Sequence, residues 1–163
     1  MSERVFHDPP ERKLEDFAVG DVIVTRGRTV EASDLIAFAG LTGDHYPLHI
    51  DEEYGKTSRF GSRIAHGPLT YAIAVGLVGM TGYYGDGIVA LLEVQTLRAL
   101  KPVQPGDTLF VRAAVEVCEP GESPRYGTVH VRYAVRNQRE EEVMTFLQIM
   151  LARRRMPPEG EGG

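Results

Sequence analysis

The spacing of apolar residues changes character near residue 88. Before that point, after one strand-like stretch, it follows a helical period; beyond it, apolar and polar residues alternate. Residues 17–30 read as the first folded piece, with a turn at Gly20-Asp21 and a strand through Val22 and Val24. Leu35, Ile36, Phe38 and Ala39 predict a helix over 33–41. Asp34 suits the positive end of that helix, and Thr42-Gly43-Asp44 closes it, glycine being the usual left-handed exit. Residues 51–57 read as a short acidic helix and 60–63 as a loop. A longer helix opens at His66-Gly67-Pro68, where the missing proline N–H breaks no bond, and runs through Leu69, Ile73, Ala74, Leu77 and Val78. Its Ala72, Ala74, Gly76 and Gly79 suggest close packing against a neighbour, and Gly82 with Gly85-Asp86-Gly87 ends it.

The second half predicts four strands. An apolar run over 88–92 continues as mixed strand to residue 100, and a turn follows over 102–107. Leu109, Val111, Ala113, Val115 and Val117 alternate with more polar neighbours, as do Val129, Val131, Tyr133 and Val135. The last strand carries Val143, Leu147, Ile149 and Leu151 on one face and Met144, Phe146 and Met150 on the other, so it is central or covered. Short turns make the sheet antiparallel, and only one long apolar helix is available to cover it. The expected fold class is therefore α+β, a single antiparallel sheet wrapped around a long central helix. Such a sheet leaves an edge and a helix flank open, which predicts a homodimer or a dimer of dimers. The domain is expected over 14–156, after a flexible polar arm over 1–13 and before a disordered tail of Pro, Glu and Gly over 157–163.

Composition narrows the function. A chain of 163 residues with 42% hydrophobic and 25% charged residues builds one packed domain. A net charge of -5 with scattered basic residues argues against a nucleic-acid partner; Arg153-Arg154-Arg155 reads as a solvated strand end. The single cysteine, Cys118, forbids an intrachain disulfide and reads as a small buried hydrophobe in a reducing compartment. No charged-then-apolar leader and no membrane-length apolar run are present, so the chain is expected to be cytoplasmic and without a membrane partner.

Two stretches carry candidate chemistry. Gly43-Asp44-His45-Tyr46-Pro47-Leu48-His49 places a carboxylate and an imidazole five positions apart in a non-helical loop that Pro47 stiffens. An Asp and a His sharing one water can remove a proton from it and deliver one elsewhere; the same residues also suit a turn cap at Asp44 and a surface histidine at position 49. In Arg63-Ile64-Ala65-His66-Gly67-Pro68-Leu69, the first amides of the helix are unbonded and carry partial positive charge. Such donors can hold a thioester oxygen as it gains charge, and Gly67 leaves its own N–H open to approach; an ordinary helix start has the same composition.

The run Phe38-Ala39-Gly40-Leu41-Thr42-Gly43-Asp44-His45-Tyr46-Pro47-Leu48-His49, followed by Phe60-Gly61-Ser62-Arg63-Ile64-Ala65-His66-Gly67, resembles the MaoC-like dehydratases, or (R)-specific enoyl-CoA hydratases. The segment from Leu100 to Leu109 is similar to that family's turn between two strands. The resemblance implies a hot-dog fold wrapped on the helix near Pro68, with Asp44 and His49 as the catalytic pair. It implies that the Gly67 N–H holds the thioester carbonyl, and that Tyr46 and His66 are further candidates for substrate contact. An acyl-CoA is then the substrate, without metal or redox cofactor. One residue departs from the family pattern, Tyr46 where Asn usually precedes the proline. Arg59, Arg63, Arg98 and Lys101 are candidates for the CoA phosphates. A hot-dog thioesterase and a non-catalytic acyl-CoA-binding protein are the competing readings; the first usually leans on a helix carboxylate, which residues 69–80 lack.

Overall fold

The computed structural model describes residues 4, 5 and 7–156. After a single 3-10 turn at Leu14–Asp16, the chain forms β1 (Val22–Val24), β2 (Arg28–Thr29), α1 (Ala32–Thr42), α2 (Pro47–Ile50), α3 (Glu52–Thr57) and α4 (Gly67–Gly79). Four long strands complete it: β3 (Ile88–Ala99), β4 (Thr108–Pro120), β5 (Tyr126–Arg136) and β6 (Glu142–Arg153). The sheet order is β1-β4-β5-β6-β3, all antiparallel, with β2 added beside β4. As the two apolar faces of β6 predict, that strand lies inside the sheet, between β5 and β3.

The sheet wraps α4. Leu69, Ile73, Ala74, Leu77 and Val78 of the helix are buried in one core with Val111, Ala113 and Val115 of β4, Val129, Val131 and Tyr133 of β5, and Phe146 of β6. This is the expected α+β hot-dog arrangement. Aromatic rings fix its centre: Tyr133 stacks on Phe146 at 4.5 Å between centroids, and Tyr71 of α4 meets Phe146 edge-on at 4.9 Å. The Tyr133 hydroxyl is satisfied by that of Tyr84 at 2.8 Å. Burial pushes the Tyr84 phenol up to about 12, against the opposing effect of that bond, so the pair stays uncharged. Tyr83 bonds Asp21 at 2.6 Å. These tyrosines serve packing, not the cleft described below.

Within the one chain Ala74 is buried, while Ala72, Gly76 and Gly79 lie on an exposed flank of α4, the flank a second copy was expected to cover. Residues 10–13 are bonded to the turn that follows α4. The Pro10 carbonyl accepts from the Asp86 N–H at 3.0 Å, and the Asp86 carboxylate accepts from the Arg12 N–H at 2.8 Å. The reason is the tight turn at Gly85, whose φ of +51° brings backbone against backbone where only glycine fits. The tail over 157–163 lies outside the described residues. No helix among the described residues is long and apolar enough to cross a membrane.

Candidate active site

Asp44 stands at the exit of α1. Gly43 adopts φ +79° and donates its N–H to the Ala39 carbonyl, ending the helix. The Thr42 hydroxyl donates back to Phe38 at 2.7 Å and accepts from the Asp44 N–H at 3.3 Å. One carboxylate oxygen of Asp44, Oδ1, accepts from the Tyr46 N–H at 3.3 Å, and the other, Oδ2, lies 3.9 Å from His66 Nε2 without a hydrogen bond of its own among the described residues. The side chain is 54% exposed, so a ligand has access to it.

His49 is not in a loop, as the sequence suggests, but on α2. Pro47 opens that turn of helix because its fixed φ suits a first position and its missing N–H breaks nothing. His49 is half-buried, and its Nδ1 lies 2.7 Å from the Ile64 carbonyl. A carbonyl only accepts, so Nδ1 carries the proton and Nε2 keeps its lone pair. The carbonyl is itself held in place: the Ile64 N–H bonds Leu48, and the Ala65 N–H bonds Val103 at 2.7 Å. Gly55 of α3 packs on the Ser62–Arg63 backbone so closely that a side chain there would collide with it.

His66, immediately before α4, is 1% exposed and stacks on His49 with ring centroids 3.8 Å apart. Its Nε2 donates to the Asp44 backbone carbonyl at 3.0 Å. One polar atom from each of Asp44, His49 and His66 lies within 4.8 Å of the others. Two histidines and a carboxylate at this spacing suit a cation only if each offers a lone pair. His66 Nε2 has its proton committed to Asp44, and Nδ1 is buried with no acceptor among the described residues to take that proton instead. The trio fits a hydrogen-bonded network better than a metal.

A cleft of about 250 Å³ opens beside His49, with Phe60, Ala65, Val103 and Met144 among its apolar walls. Gly67 lines the same cleft and is exposed to it. As the first residue of α4, Gly67 has an N–H with no helical carbonyl to bond, at the positive end of a 13-residue helix. Arg59 and Lys101 also line the cleft. Arg59 lies over the Phe60 ring, and Lys101 is tied to Glu141 at 2.6 Å. Arg63 is paired with Glu52 at 2.7 Å, and Arg98 sits on β3 opposite Thr145. A larger groove of about 590 Å³, lined by Glu11, Arg12, Lys13, Asp16 and Arg155, shares no residue with this site and is walled by ions already paired with each other.

Tyr46 packs beside His49. Its ring meets the His49 ring edge-on at 6.2 Å, and its hydroxyl lies 3.2 Å from that of Tyr54 on α3. That bond, with the neighbouring phenol and slight desolvation adding to it, pushes the Tyr54 hydroxyl above the ordinary phenol range. Tyr54 and the Ile64 carbonyl have no signature in the sequence, since each is brought to the site by tertiary contact alone.

A MaoC-like domain family model matches residues 16–137, three quarters of the chain. The chain belongs to the MaoC-like dehydratase family. It is 36% identical over 131 residues to YdeM of Bacillus subtilis, an uncharacterized protein, covering 80% of this chain and 92% of that one. It is also 36% identical over 106 residues to the 3-hydroxybutyryl-CoA dehydratase of Methylorubrum extorquens, where the match spans 65% of this chain and 64% of the relative. The crystal structure of a MaoC-like dehydratase from Rhodospirillum rubrum superposes with a TM-score of 0.80 at 34% identity, covering 90% of this chain and all of that one. The MaoC-like family thus includes hydro-lyases of acyl-CoA thioesters.

Proposed function

We propose that this chain adds water to a 2-enoyl-CoA, or eliminates it from a 3-hydroxyacyl-CoA, with Asp44 and His49 as its acid/base pair and the Gly67 amide as its oxyanion donor. The observation that carries this reading is that Asp44 comes within 4.8 Å of His49, and that His49 lines a cleft which Gly67 also lines. A water between Asp44 Oδ2 and His49 Nε2 has an acceptor on either side. In the hydration direction the pair takes a proton from that water, and the oxygen bonds to the β-carbon. The π electrons move toward the thioester oxygen, where the Gly67 N–H and the start of α4 meet the growing negative charge. The proton returns to the α-carbon as the carbonyl re-forms, so the pair ends as it began. No electron leaves the substrate, and no step calls for a redox group. The cations at the cleft, Arg59 and Lys101, suit the phosphates of CoA.

Purified protein with crotonyl-CoA and a panel of longer, branched and carboxylated enoyl-CoAs is expected to lose the ultraviolet absorbance of the conjugated thioester. Release of free thiol from saturated acyl-CoA with no hydration of any member would assign a thioesterase instead. Binding without either reaction would assign a carrier.

The proposed working unit is a homodimer formed through β3. That strand ends the sheet, and Leu91, Leu92 and Leu97 along it, with Leu100 just past its end, are each about half exposed. Leu100 also lines the cleft, so a partner strand would lie against the site. Sedimentation at micromolar concentration is expected to give twice the chain mass for the wild type and a lighter species for Leu91→Glu. A wild-type monomer that is fully active would overturn the dimer.

A further inference from the structure

His66 has the burial of a core residue and the bonding of a site residue. It is sandwiched between Phe38 of α1, at 5.0 Å between ring centroids, and His49 of α2, at 3.8 Å. Its Nε2 reaches 22 positions back along the chain to the Asp44 carbonyl. Asp44 follows a left-handed glycine, and the bonds to its N–H and Oδ1 both come from residues within two positions of it. Local bonds of this kind move with the loop. The His66 bond ties the loop to the start of α4, where the Gly67 amide is. The second nitrogen, Nδ1, is buried with no hydrogen-bond partner among the described residues. Nε2 faces Asp44, with the backbone carbonyl at 3.0 Å and carboxylate Oδ2 at 3.9 Å, so His66 holds the loop that carries the acid.

We propose that His66 is the positioning residue of the acid/base pair: its Nε2–H fixes the Asp44 carbonyl, and hence the carboxylate, relative to His49 and Gly67. This rests on the reading of Asp44 and His49 given above. A buried nitrogen without a partner costs stability, a cost that an all-carbon ring in the same place does not carry. The proposal therefore makes stability and activity run in opposite orders at this position. His66→Phe keeps the ring between Phe38 and His49 and removes the unsatisfied nitrogen, but it loses the donor. His66→Gln loses the ring, yet its amide nitrogen stands the same number of bonds from the backbone as Nε2 and can still donate to Asp44.

The expected melting temperatures place Phe at or above the wild type and Gln below it. The expected turnover numbers on the best enoyl-CoA place Gln within a few-fold of the wild type and Phe lower by tenfold or more, with KM changed by about twofold or less in both, as misplacement of a reacting group predicts. A Phe variant as active as the wild type would overturn the proposal, and so would a folded Gln variant no better than Phe. Asp44→Asn is measured alongside. If it retains full turnover, the acid/base reading itself has failed; if it is inactive while Phe is unimpaired, only the role of His66 has failed.

Discussion

Asp44→Asn is expected to lower hydration turnover by about 10²–10⁴-fold, the range that a positioned proton-transfer group contributes, while the protein unfolds within a few degrees of the wild-type temperature. The stability claim follows from exposure: the side chain is 54% exposed, and its one bond, from the Tyr46 N–H to Oδ1, is open to the Asn carbonyl oxygen as well. His49 needs a more careful substitution, because its Nδ1–H is bonded to Ile64 and truncation would leave that half-buried carbonyl without its donor. His49→Asn places an amide nitrogen where Nδ1 was and removes only Nε2. It is expected to show a loss of the same order at nearly unchanged KM. If the two groups act on one water, the double variant is scarcely slower than the worse single one, since residues working as a unit are not additive. Losses that multiply would mean two separate roles. Near wild-type turnover in both single variants would sink the assignment.

The reading of Asp44 and His49 illustrates how far the sequence carries. The strand half was legible because alternation over 109–151 has a single interpretation once the turns are short, and β4, β5 and β6 follow it. Helix α4 was legible from Pro68 and the spacing of Leu69, Ile73 and Leu77. Helix α2 was not, because four residues are too few for a period, and only Pro47 hints at it. The fate of the small residues of α4 was also hidden. Small residues fit a close neighbour equally well whether it belongs to the same chain or to another, and here a single chain leaves Ala72 and Gly76 uncovered. Asp44, His49 and Gly67 stood out through their motifs, and their separation is short enough for local geometry to bring them near. The partners that orient them did not. The Ile64 carbonyl, the Tyr54 hydroxyl and the donor role of His66 arise from contacts 8 to 22 residues apart. Backbone carbonyls in particular leave no trace in residue type.

Gly67→Ala is the second large effect expected. Most glycines conserve either a left-handed conformation or a close approach, and alanine there damages the fold. Gly67 has neither constraint: its φ is not positive, and a Cβ built on it meets no atom within 4 Å. Alanine is favoured over glycine by about 1 kcal/mol in a helix interior, and at the first residue of α4 a smaller part of that preference applies. The melting temperature is therefore expected to hold or rise slightly. The added methyl, however, enters the cleft beside His49 and stands next to the N–H proposed to meet the thioester oxygen. The backbone N–H itself is kept, so the effect is steric: with the thioester oxygen held away from that donor, turnover is expected to fall by up to about 10²–10³-fold, the cost of losing one oxyanion bond, with KM raised as well because the methyl blocks the bound substrate and not the transition state alone. The pair of readings decides between two uses of the same residue. A stable protein with lost activity means that position 67 is kept open for substrate. A stable protein with wild-type kinetics would mean that the thioester lies elsewhere, and that the amides at the start of α4 only begin a helix.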